Sequence, residues 1–156
     1  MNIKIKPIAQ LKKITDRAKK NKKIIVFTNG CFDIIHYGHV QYLQKAKAKG
    51  DILIIGLNAD KSVRRLKGKN RPINCQKDRA GILAAFECVD YIVIFNEDTP
   101  FNVIKILKPN VLIKGADWSN KTIIGADIVT SCGGKVLTIP YLKNRSTSHI
   151  IEKIAT

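Results

Sequence analysis

Short, continuously apolar runs alternate along the chain with segments that carry apolar residues at helical spacing. The runs are rich in β-branched residues and predict five strands, over residues 23–28, 51–58, 91–95, 111–115 and 135–140. Alternating apolar and polar residues would indicate a sheet with one solvated face, whereas continuous runs are typical of parallel strands covered on both faces. The pattern therefore predicts a parallel sheet between two layers of helix.

The segments between the strands predict helices. Residues 37–49 place Val40, Leu43 and Ala46 at helical spacing and end at Gly50, a residue that favours helix termination. Further helices are predicted over residues 76–89, 100–107 and 122–132, and from Ser146 or Thr147 to residue 154.

The strict alternation of strand and helix predicts a single Rossmann-like α/β domain. Right-handed crossovers give an open, doubly wound, five-stranded parallel sheet of order 3-2-1-4-5 with helices on both faces. Residues 1–22 predict an N-terminal helical extension, and residues 23–156 the domain itself. The one long irregular stretch, residues 64–74, is basic.

Ligands of such sheets bind beyond the carboxyl ends of the strands, where the strand order reverses. The segment "TNGCFDIIHYGH" (residues 28–39) lies at that end of the first strand, and "KGADW" (residues 114–118) follows the fourth. In the predicted order these two strands are neighbours across the reversal point. We therefore expect the two motifs to border one crevice.

The net charge of +16 has two interpretations. It is compatible with an anionic partner such as a nucleotide, a phosphate or a nucleic acid. It is equally compatible with a coding bias toward lysine, because only six of the 28 basic residues are arginines. A nucleic-acid-binding module stays open as an alternative, although the aromatic fraction is only 6% and no RRM or KH signature occurs.

The cysteines and the apolar runs bear on the compartment. The four cysteines form no CxxC pair, and we interpret them as reduced thiols. No apolar run is long enough to span a bilayer, and the N-terminus has no apolar signal core. These features predict a cytoplasmic protein with no membrane partner.

The segment of residues 28–39 predicts an anion site. It contains neither a GxGxxG nor a P-loop pattern; instead a glycine turn, Asn29-Gly30, precedes His36 and His39 at the start of a helix. Backbone N–H groups at a helix N-terminus favour anions, and imidazoles can donate hydrogen bonds to phosphate oxygens. Gly38 has no side chain, so a base or a phosphate can approach the backbone closely.

Other interpretations of the same residues stay open. The two histidines could bind a metal ion together with Cys31 and Asp33, or each could be satisfied structurally by the backbone. The glycines could simply form turns. The position of both histidines at the crevice end of the first strand favours the anion site.

The segment "GCFDxxHxGH" (residues 30–39) resembles the signature of the HxGH nucleotidyltransferase superfamily, which includes cytidylyltransferases and adenylyltransferases. The segments "LNADKSVRRLKGKNRP", "FNEDTP", "LIKGADW", "GGKVLTIP" and "STSHIIEKI" are similar to those of the family that makes ADP-heptose from D-glycero-β-D-manno-heptose 1-phosphate and ATP. In many bacteria that activity is one half of a bifunctional protein whose other half is a sugar kinase. The resemblance implies transfer of AMP from ATP to a sugar 1-phosphate.

The resemblance also implies roles for individual residues. The implied catalytic residues are His36, His39, Lys67 and Arg79. Besides the two histidines, the implied nucleotide-binding residues are Thr28, Asn29, Gly30, Cys31, Phe32, Gly38, Lys114, Gly115, Asp117, Ser146, Thr147 and Ser148. The implied substrate-binding residues are Asp33, which would orient the sugar or the turn, and Asn58, Asp60, Arg64, Arg65, Arg71 and Trp118.

The cofactor and the partners follow from the same resemblance. It implies Mg²⁺ with ATP, with no dedicated protein metal site, and ATP and a sugar phosphate as ligands rather than nucleic acid. It further implies a homodimer or higher homo-oligomer and a separate heptose kinase that supplies the acceptor. A cytidylyltransferase for glycerol 3-phosphate or a similar alcohol phosphate is the alternative. Related cytidylyltransferases carry an arginine several residues before the serine/threonine run, whereas here Arg145 directly precedes Ser146, so its role stays open.

Overall fold

The computed structural model describes residues 3–115, 123–140, 142 and 146–155. Strands and helices alternate after an N-terminal helix. The strands are β1 (Ile25–Gly30), β2 (Ile52–Asn58), β3 (Tyr91–Phe95), β4 (Val111–Gly115) and β5 (Lys135–Ile139). The helices are α1 (Ile8–Lys20), α2 (Tyr37–Lys47), α3 (Asp60–Lys67), α4 (Gln76–Ala84), α5 (Phe101–Leu107), α6 (Ala126–Ser131) and α7 (Thr147–Ala155).

The five strands form one parallel sheet of order β3-β2-β1-β4-β5, which confirms the predicted topology. β1 pairs along its whole length with β2, from Ile25 opposite Ile52 to Gly30 opposite Leu57. On its other side β1 pairs with β4 through Val26 and Phe27. The strand order therefore reverses between β1 and β4, and the tips of these two strands flank the crevice.

Two apolar clusters pack on opposite faces of the sheet. Because successive strand side chains point to opposite faces, β2 gives Leu53, Ile55 and Leu57 to one cluster and Ile54 to the other. The first cluster is completed mainly by α2 and α4, and the second by α1 and α5. Helices thus cover both faces, which explains why the strands are continuously apolar in sequence.

The N-terminal segment packs on this framework. Leu11 of α1 is fully buried in the second cluster. Ahead of α1, Ile5 forms a parallel bridge with Ile92: the backbone N–H of Lys6 donates to the carbonyl oxygen of Ile92, whose own N–H donates to the carbonyl oxygen of Lys4. The division of the chain at residue 22 into an extension and a domain stays a prediction.

The helices differ in detail from those predicted. α3 was not predicted, because only Ser62 and Val63 of its eight residues are buried and the apolar pattern is too short to see. α4 ends at Ala84 rather than residue 89, and the turns that follow bring Val89 into the core. α6 begins at Ala126, after Gly125 in the left-handed region at φ 82°, rather than at residue 122, which lies outside the described residues. Among the described helices, none combines the length and apolar composition needed to cross a membrane.

Candidate functional site

A hollow lies beyond the carboxyl ends of the strands, at the reversal point between β1 and β4. Its volume is about 940 Å³, near the upper end of the ~300–1,000 Å³ that is usual for ligand pockets, so it has room for a nucleotide and an acceptor. Most of the predicted site residues line it: Asn29, Gly30, Cys31, Phe32, Asp33, His36, Gly38, His39, Asn58, Lys67, Arg71, Lys114, Gly115, Ser146, Thr147 and Ser148. Both histidines and Lys114 thus face one hollow.

The loop between β1 and α2 has an unusual backbone. Phe32 and Ile34 both adopt left-handed conformations, at φ 46° and φ 52°. A bulky or β-branched side chain rarely adopts this region, and each such residue costs on the order of 1–3 kcal/mol. The loop therefore needs contacts from other elements to hold it in this shape.

Asp33 provides one set of these contacts. Its buried carboxylate accepts hydrogen bonds from Arg71 Nε at 2.9 Å and from the backbone N–H groups of Ile73 at 2.7 Å and Asn74 at 2.9 Å. Burial opposes ionisation, but the hydrogen bonds from Asn74, Ile73 and Arg71 outweigh it and hold the pKa of Asp33 below its usual value. The carboxylate thus joins the β1–α2 loop to residues 71–74, and its implied role in orienting the sugar or the turn stays a prediction.

Arg79 provides a second set of contacts from behind the loop. Its side chain is fully buried on α4, and its guanidinium donates to the carbonyl oxygens of Cys31 at 2.5 Å and Asn74 at 3.0 Å. It also forms an ion pair with Asp60, at 2.8 Å. One guanidinium therefore joins the β1–α2 loop, the segment before α4 and the start of α3.

The two histidines stand at the start of α2. His36 is the N-cap residue, and its ring stacks on that of His39 with centroids 3.9 Å apart. The backbone N–H of His36 donates to Nδ1 of His39 at 3.4 Å, so the proton of neutral His39 lies on Nε2. Burial, assisted by the charge of His36, lowers the pKa of His39 to about 4. His39 is therefore neutral at physiological pH and donates through Nε2.

Residues of β4 and of the first turn of α7 also line the hollow. The hydroxyl of Ser146 accepts a hydrogen bond from the backbone N–H of His149, at 3.2 Å, and so caps α7 as predicted. The hydroxyl of Thr147 donates to the carbonyl oxygen of Asp33 at 2.7 Å, which links α7 to the β1–α2 loop. The N-terminus of α7 thus borders the same hollow as the N-terminus of α2.

Several predicted site residues lie outside the lining of the hollow. They are Thr28, Asp60, Arg64, Arg65 and Arg79. Thr28 is buried and its hydroxyl contacts that of Tyr42 at 2.8 Å, beneath the site. The remaining predicted residues, Asp117 and Trp118, fall outside the described residues, as does Arg145.

Other residues line the hollow although they were not predicted. They are Tyr42, Leu66, Asp98, Thr99, Pro100, Ile124, Leu142, His149 and Glu152. Three of them belong to the "FNEDTP" segment, whose place directly after β3 was a usable signal, because the carboxyl ends of parallel strands meet at one edge. Leu66, His149 and Glu152 lie in two segments similar to the ADP-heptose-forming family, residues 57–72 and 146–154, whereas Tyr42, Ile124 and Leu142 belong to no such segment and join the lining only through the fold.

Neither a metal cluster nor an activated thiol is found among these residues. In the described part of the chain, no three His, Cys, Asp or Glu side chains lie close enough together to hold a metal ion. The four cysteines are free thiols, and burial raises the pKa of Cys31, the one that lines the hollow. A buried thiol with a raised pKa is a poor nucleophile.

The family model described as "Cytidylyltransferase-like" matches residues 27–153, which include every strand after the first two residues of β1. The chain belongs to the cytidylyltransferase-like family. Membership identifies it as an enzyme of the nucleotidyltransferase class, and the shared segment contains both histidines and the whole described hollow.

Curated relatives and solved structures agree with the family. The chain is 54% identical over 151 residues to the "Bifunctional protein HldE" of Geobacter metallireducens, covering 97% of this chain and 31% of that protein. For the protein of the same name from Campylobacter jejuni serotype O:6, the identity is 55% over 149 residues, covering 96% of this chain and 32% of that protein. The chain therefore spans about a third of the length of these relatives.

Two solved structures share the fold. The lipopolysaccharide core biosynthesis protein from Thermoplasma volcanium superposes with a TM-score of 0.62 at 25% identity, covering 78% of this chain and 98% of that chain. Pantoate-beta-alanine ligase from Francisella tularensis, complexed with beta-gamma ATP and beta-alanine, has the same TM-score of 0.62 at 18% identity, covering 97% of this chain and 78% of that chain. The second similarity concerns the fold alone.

We predict that Arg79→Met lowers the free energy of unfolding by about 3–5 kcal/mol, because it leaves Asp60 without its buried cation and two carbonyl oxygens without a donor. Urea denaturation measures the change. Arg64→Met, at an exposed position of α3, is the matched control and should stay within about 0.5 kcal/mol of the original protein. Equal stability of the Arg79 and Arg64 variants would contradict the scaffold role of the buried guanidinium.

We predict a pH dependence that arises from His39. Its pKa is about 4 in the folded chain and about 6.5 when unfolded, so between these values the unfolded chain binds more protons. The free energy of unfolding should therefore fall as the pH drops from 6.5 to 4, and His39 should contribute on the order of 3 kcal/mol to that fall. Denaturation across this range should show a shallower fall for His39→Gln. An imidazole NMR titration of folded His39 with a midpoint near 6.5 would contradict the assignment.

Proposed function

We propose that this enzyme transfers AMP from ATP to D-glycero-β-D-manno-heptose 1-phosphate, giving ADP-heptose and pyrophosphate. The observation that carries the proposal is the hollow at the β1 tip, where the stacked pair His36 and His39 at the N-terminus of α2 faces the cationic side chains of Lys67, Arg71 and Lys114. A hollow with this lining suits two polyanions at once. The similarity of residues 57–72 and 95–100 to ADP-heptose-forming adenylyltransferases supports the sugar acceptor.

The reaction is a direct displacement at the α-phosphorus of ATP. An oxygen of the sugar 1-phosphate attacks that phosphorus, a new P–O bond forms, and the bond to the β-phosphate breaks as pyrophosphate leaves in line. The attacking phosphate is already ionised at neutral pH, so no general base is needed. This chemistry accords with a site that offers cations, imidazoles and helix N-termini rather than a nucleophilic triad.

The chain's residues act mainly by position and charge. His36 and His39 donate hydrogen bonds to the triphosphate, where negative charge shifts toward the leaving pyrophosphate. Lys67 and Arg71 bind the acceptor phosphate and the nucleotide phosphates, while Lys114 borders the nucleotide from β4. Ser146, Thr147 and Ser148 add the N-terminus of α7 as a second anion site.

We assign Asp33 and Arg79 as positioning residues. Their polar atoms are engaged with the β1–α2 loop and with residues 71–74, so they act through the shape of the loop and the place of Arg71. The predicted catalytic role of Arg79 thus takes an indirect form in this proposal.

Mg²⁺ enters as part of the nucleotide substrate. When bound with ATP, it would neutralise part of the negative charge of the phosphates. Glu152 lines the hollow and carries the hard oxygen donors that Mg²⁺ prefers, so the residues present would fit an ion held mainly by the phosphates.

The proposal extends to partners and location. A kinase unit outside the 156 residues supplies the sugar 1-phosphate, in keeping with relatives that are named bifunctional and are about three times as long. The enzyme acts in the cytoplasm, where ATP is available, as a homodimer or higher homo-oligomer.

A second candidate is a cytidylyltransferase that acts on glycerol 3-phosphate or a similar alcohol phosphate. The match to the cytidylyltransferase-like model favours it, because that family description names the other nucleotide. The chemistry at phosphorus is the same, and only the base and the acceptor differ.

We predict that purified protein with Mg²⁺ releases pyrophosphate from ATP when heptose 1-phosphate is present. The kcat/KM of this reaction should be at least about tenfold higher than with CTP and any of the acceptors tested. A coupled pyrophosphate assay over ATP and CTP, each with heptose 1-phosphate, glucose 1-phosphate and glycerol 3-phosphate, makes the comparison. Faster turnover of CTP with glycerol 3-phosphate would replace the first candidate by the second. Absence of pyrophosphate release from every pair would contradict both.

We predict that His36→Ala and His39→Ala each lower kcat roughly 10²–10³-fold, because each loses a donor to the charge that develops in the transition state. Steady-state pyrophosphate release measures kcat, and the thermal midpoint of each variant shows that the fold survives. Near-normal turnover in both variants would overturn the assignment of the pair.

A further inference from the structure

Asp98 is an acidic side chain that lines the hollow together with Asp33, Glu152 and the cations Lys67, Arg71 and Lys114. It lies in the segment between β3 and α5, lines the hollow, and its side chain is 53% exposed. A carboxylate repels phosphate oxygens and accepts hydrogen bonds without donating any. It is therefore suited to a part of the ligands other than their phosphates.

The carboxylate is held from outside the hollow. Arg65 of α3 does not line the hollow, yet its Nε donates to Oδ1 of Asp98 at 2.6 Å and its Nη2 donates to the carbonyl oxygen of Asn96. Ser62, one turn earlier in α3, donates to the carbonyl oxygen of Glu97 at 2.9 Å. Three consecutive residues after β3 are thus each tied to α3.

This arrangement leaves one carboxylate oxygen available. Within the part of the chain that the structure describes, Oδ1 is occupied by Arg65, whereas no hydrogen bond to Oδ2 is found. Anchoring of one oxygen fixes the direction of the other, which lowers the entropy lost when a ligand binds. The ligand groups that match an exposed, oriented carboxylate oxygen are hydroxyls.

The sheet order indicates which ligand carries these hydroxyls. Asp98 follows β3, the outer strand on the β2 side of β1, whereas Lys114 lies in β4, on the other side of β1. If the nucleotide occupies the reversal point between β1 and β4, the acceptor extends toward β2 and β3. The hydroxyls within reach of Asp98 then belong to the acceptor rather than to the ribose.

We propose that Asp98 recognises hydroxyl groups of the phosphorylated acceptor, and that Arg65 is a positioning residue that orients the Asp98 carboxylate. The proposal rests on the proposed function, since it takes the acceptor to be a sugar phosphate. It gives Arg65, predicted to bind substrate, an indirect part in that binding. It gives Asp98 a direct part, although the sequence analysis predicted no role for Asp98.

The test compares variants of the full chain in the pyrophosphate assay with ATP and heptose 1-phosphate. Asp98→Asn should raise the KM for the acceptor roughly tenfold to a hundredfold, the usual worth of a hydrogen bond to a charged group. The KM for ATP and the Mg²⁺ concentration at half-maximal rate should stay unchanged. Asp127→Asn, an exposed aspartate of α6 outside the hollow, is the matched control and should alter none of these values.

The positioning role has its own readout. Arg65→Met should raise the acceptor KM by a smaller factor, and the double variant Arg65→Met/Asp98→Asn should match Asp98→Asn alone, because Arg65 acts through Asp98. If the two substitutions instead raise the acceptor KM independently, so that their factors multiply in the double variant, the positioning role of Arg65 is contradicted. Thermal midpoints of all variants exclude unfolding, and if Asp98→Asn fails to fold, acceptors that lack individual hydroxyls give the same comparison on the unaltered chain.

Three results would overturn the assignment of Asp98. A raised KM for ATP would place the carboxylate at the ribose, a raised Mg²⁺ requirement would make it a metal ligand, and an unchanged acceptor KM would leave it without a binding role. Failure of the proposed function is distinguishable, because it appears as absent turnover in the unaltered protein before any variant is compared.

Discussion

The buried guanidinium of Arg79 is the contact on which the rest of the site depends. Through its hydrogen bonds to Cys31 and Asn74 and its ion pair with Asp60, it holds three segments that are far apart in sequence. A buried cation is tolerated only when its hydrogen bonds are satisfied, so the three segments can meet in few other ways. The left-handed residues of the β1–α2 loop are stable because this contact and the Asp33 carboxylate hold the loop from both sides.

The geometry of the histidine pair follows from that loop. α2 begins where the loop ends, so the direction of its first turn and the stacking of His36 on His39 are set by residues 31–35. Burial then keeps His39 neutral, with its proton on the nitrogen that does not contact the backbone. The site thus offers imidazole donors, helix N-termini and the cations Lys67, Arg71 and Lys114. Nucleotidyl transfer between two phosphates needs little else from a protein.

The fold was largely predictable because its signal is local. Continuous apolar runs marked all five strands, and the position of "TNGCFDIIHYGH" after β1 placed both histidines at the sheet edge where ligands bind. The limits of that approach are clear at α3, Arg79 and Asp98. α3 was missed because it buries only Ser62 and Val63. For Arg79 the resemblance implied a catalytic role, but its complete burial depends on acceptors at Cys31, Asp60 and Asn74, which no local pattern reveals. Asp98 lines the hollow directly after β3, but its hydrogen bond from Arg65, a contact across 33 positions, is one that no periodicity reveals.

The most direct test of the account is a crystal structure of the chain with Mg²⁺ and α,β-methylene-ATP, which cannot release pyrophosphate. The account predicts phosphate oxygens within hydrogen-bond distance of the His36 and His39 rings at the first turn of α2, with Arg79 still bound to Cys31 behind the loop. A nucleotide bound away from the β1 tip, or phosphates that contact neither imidazole, would contradict it.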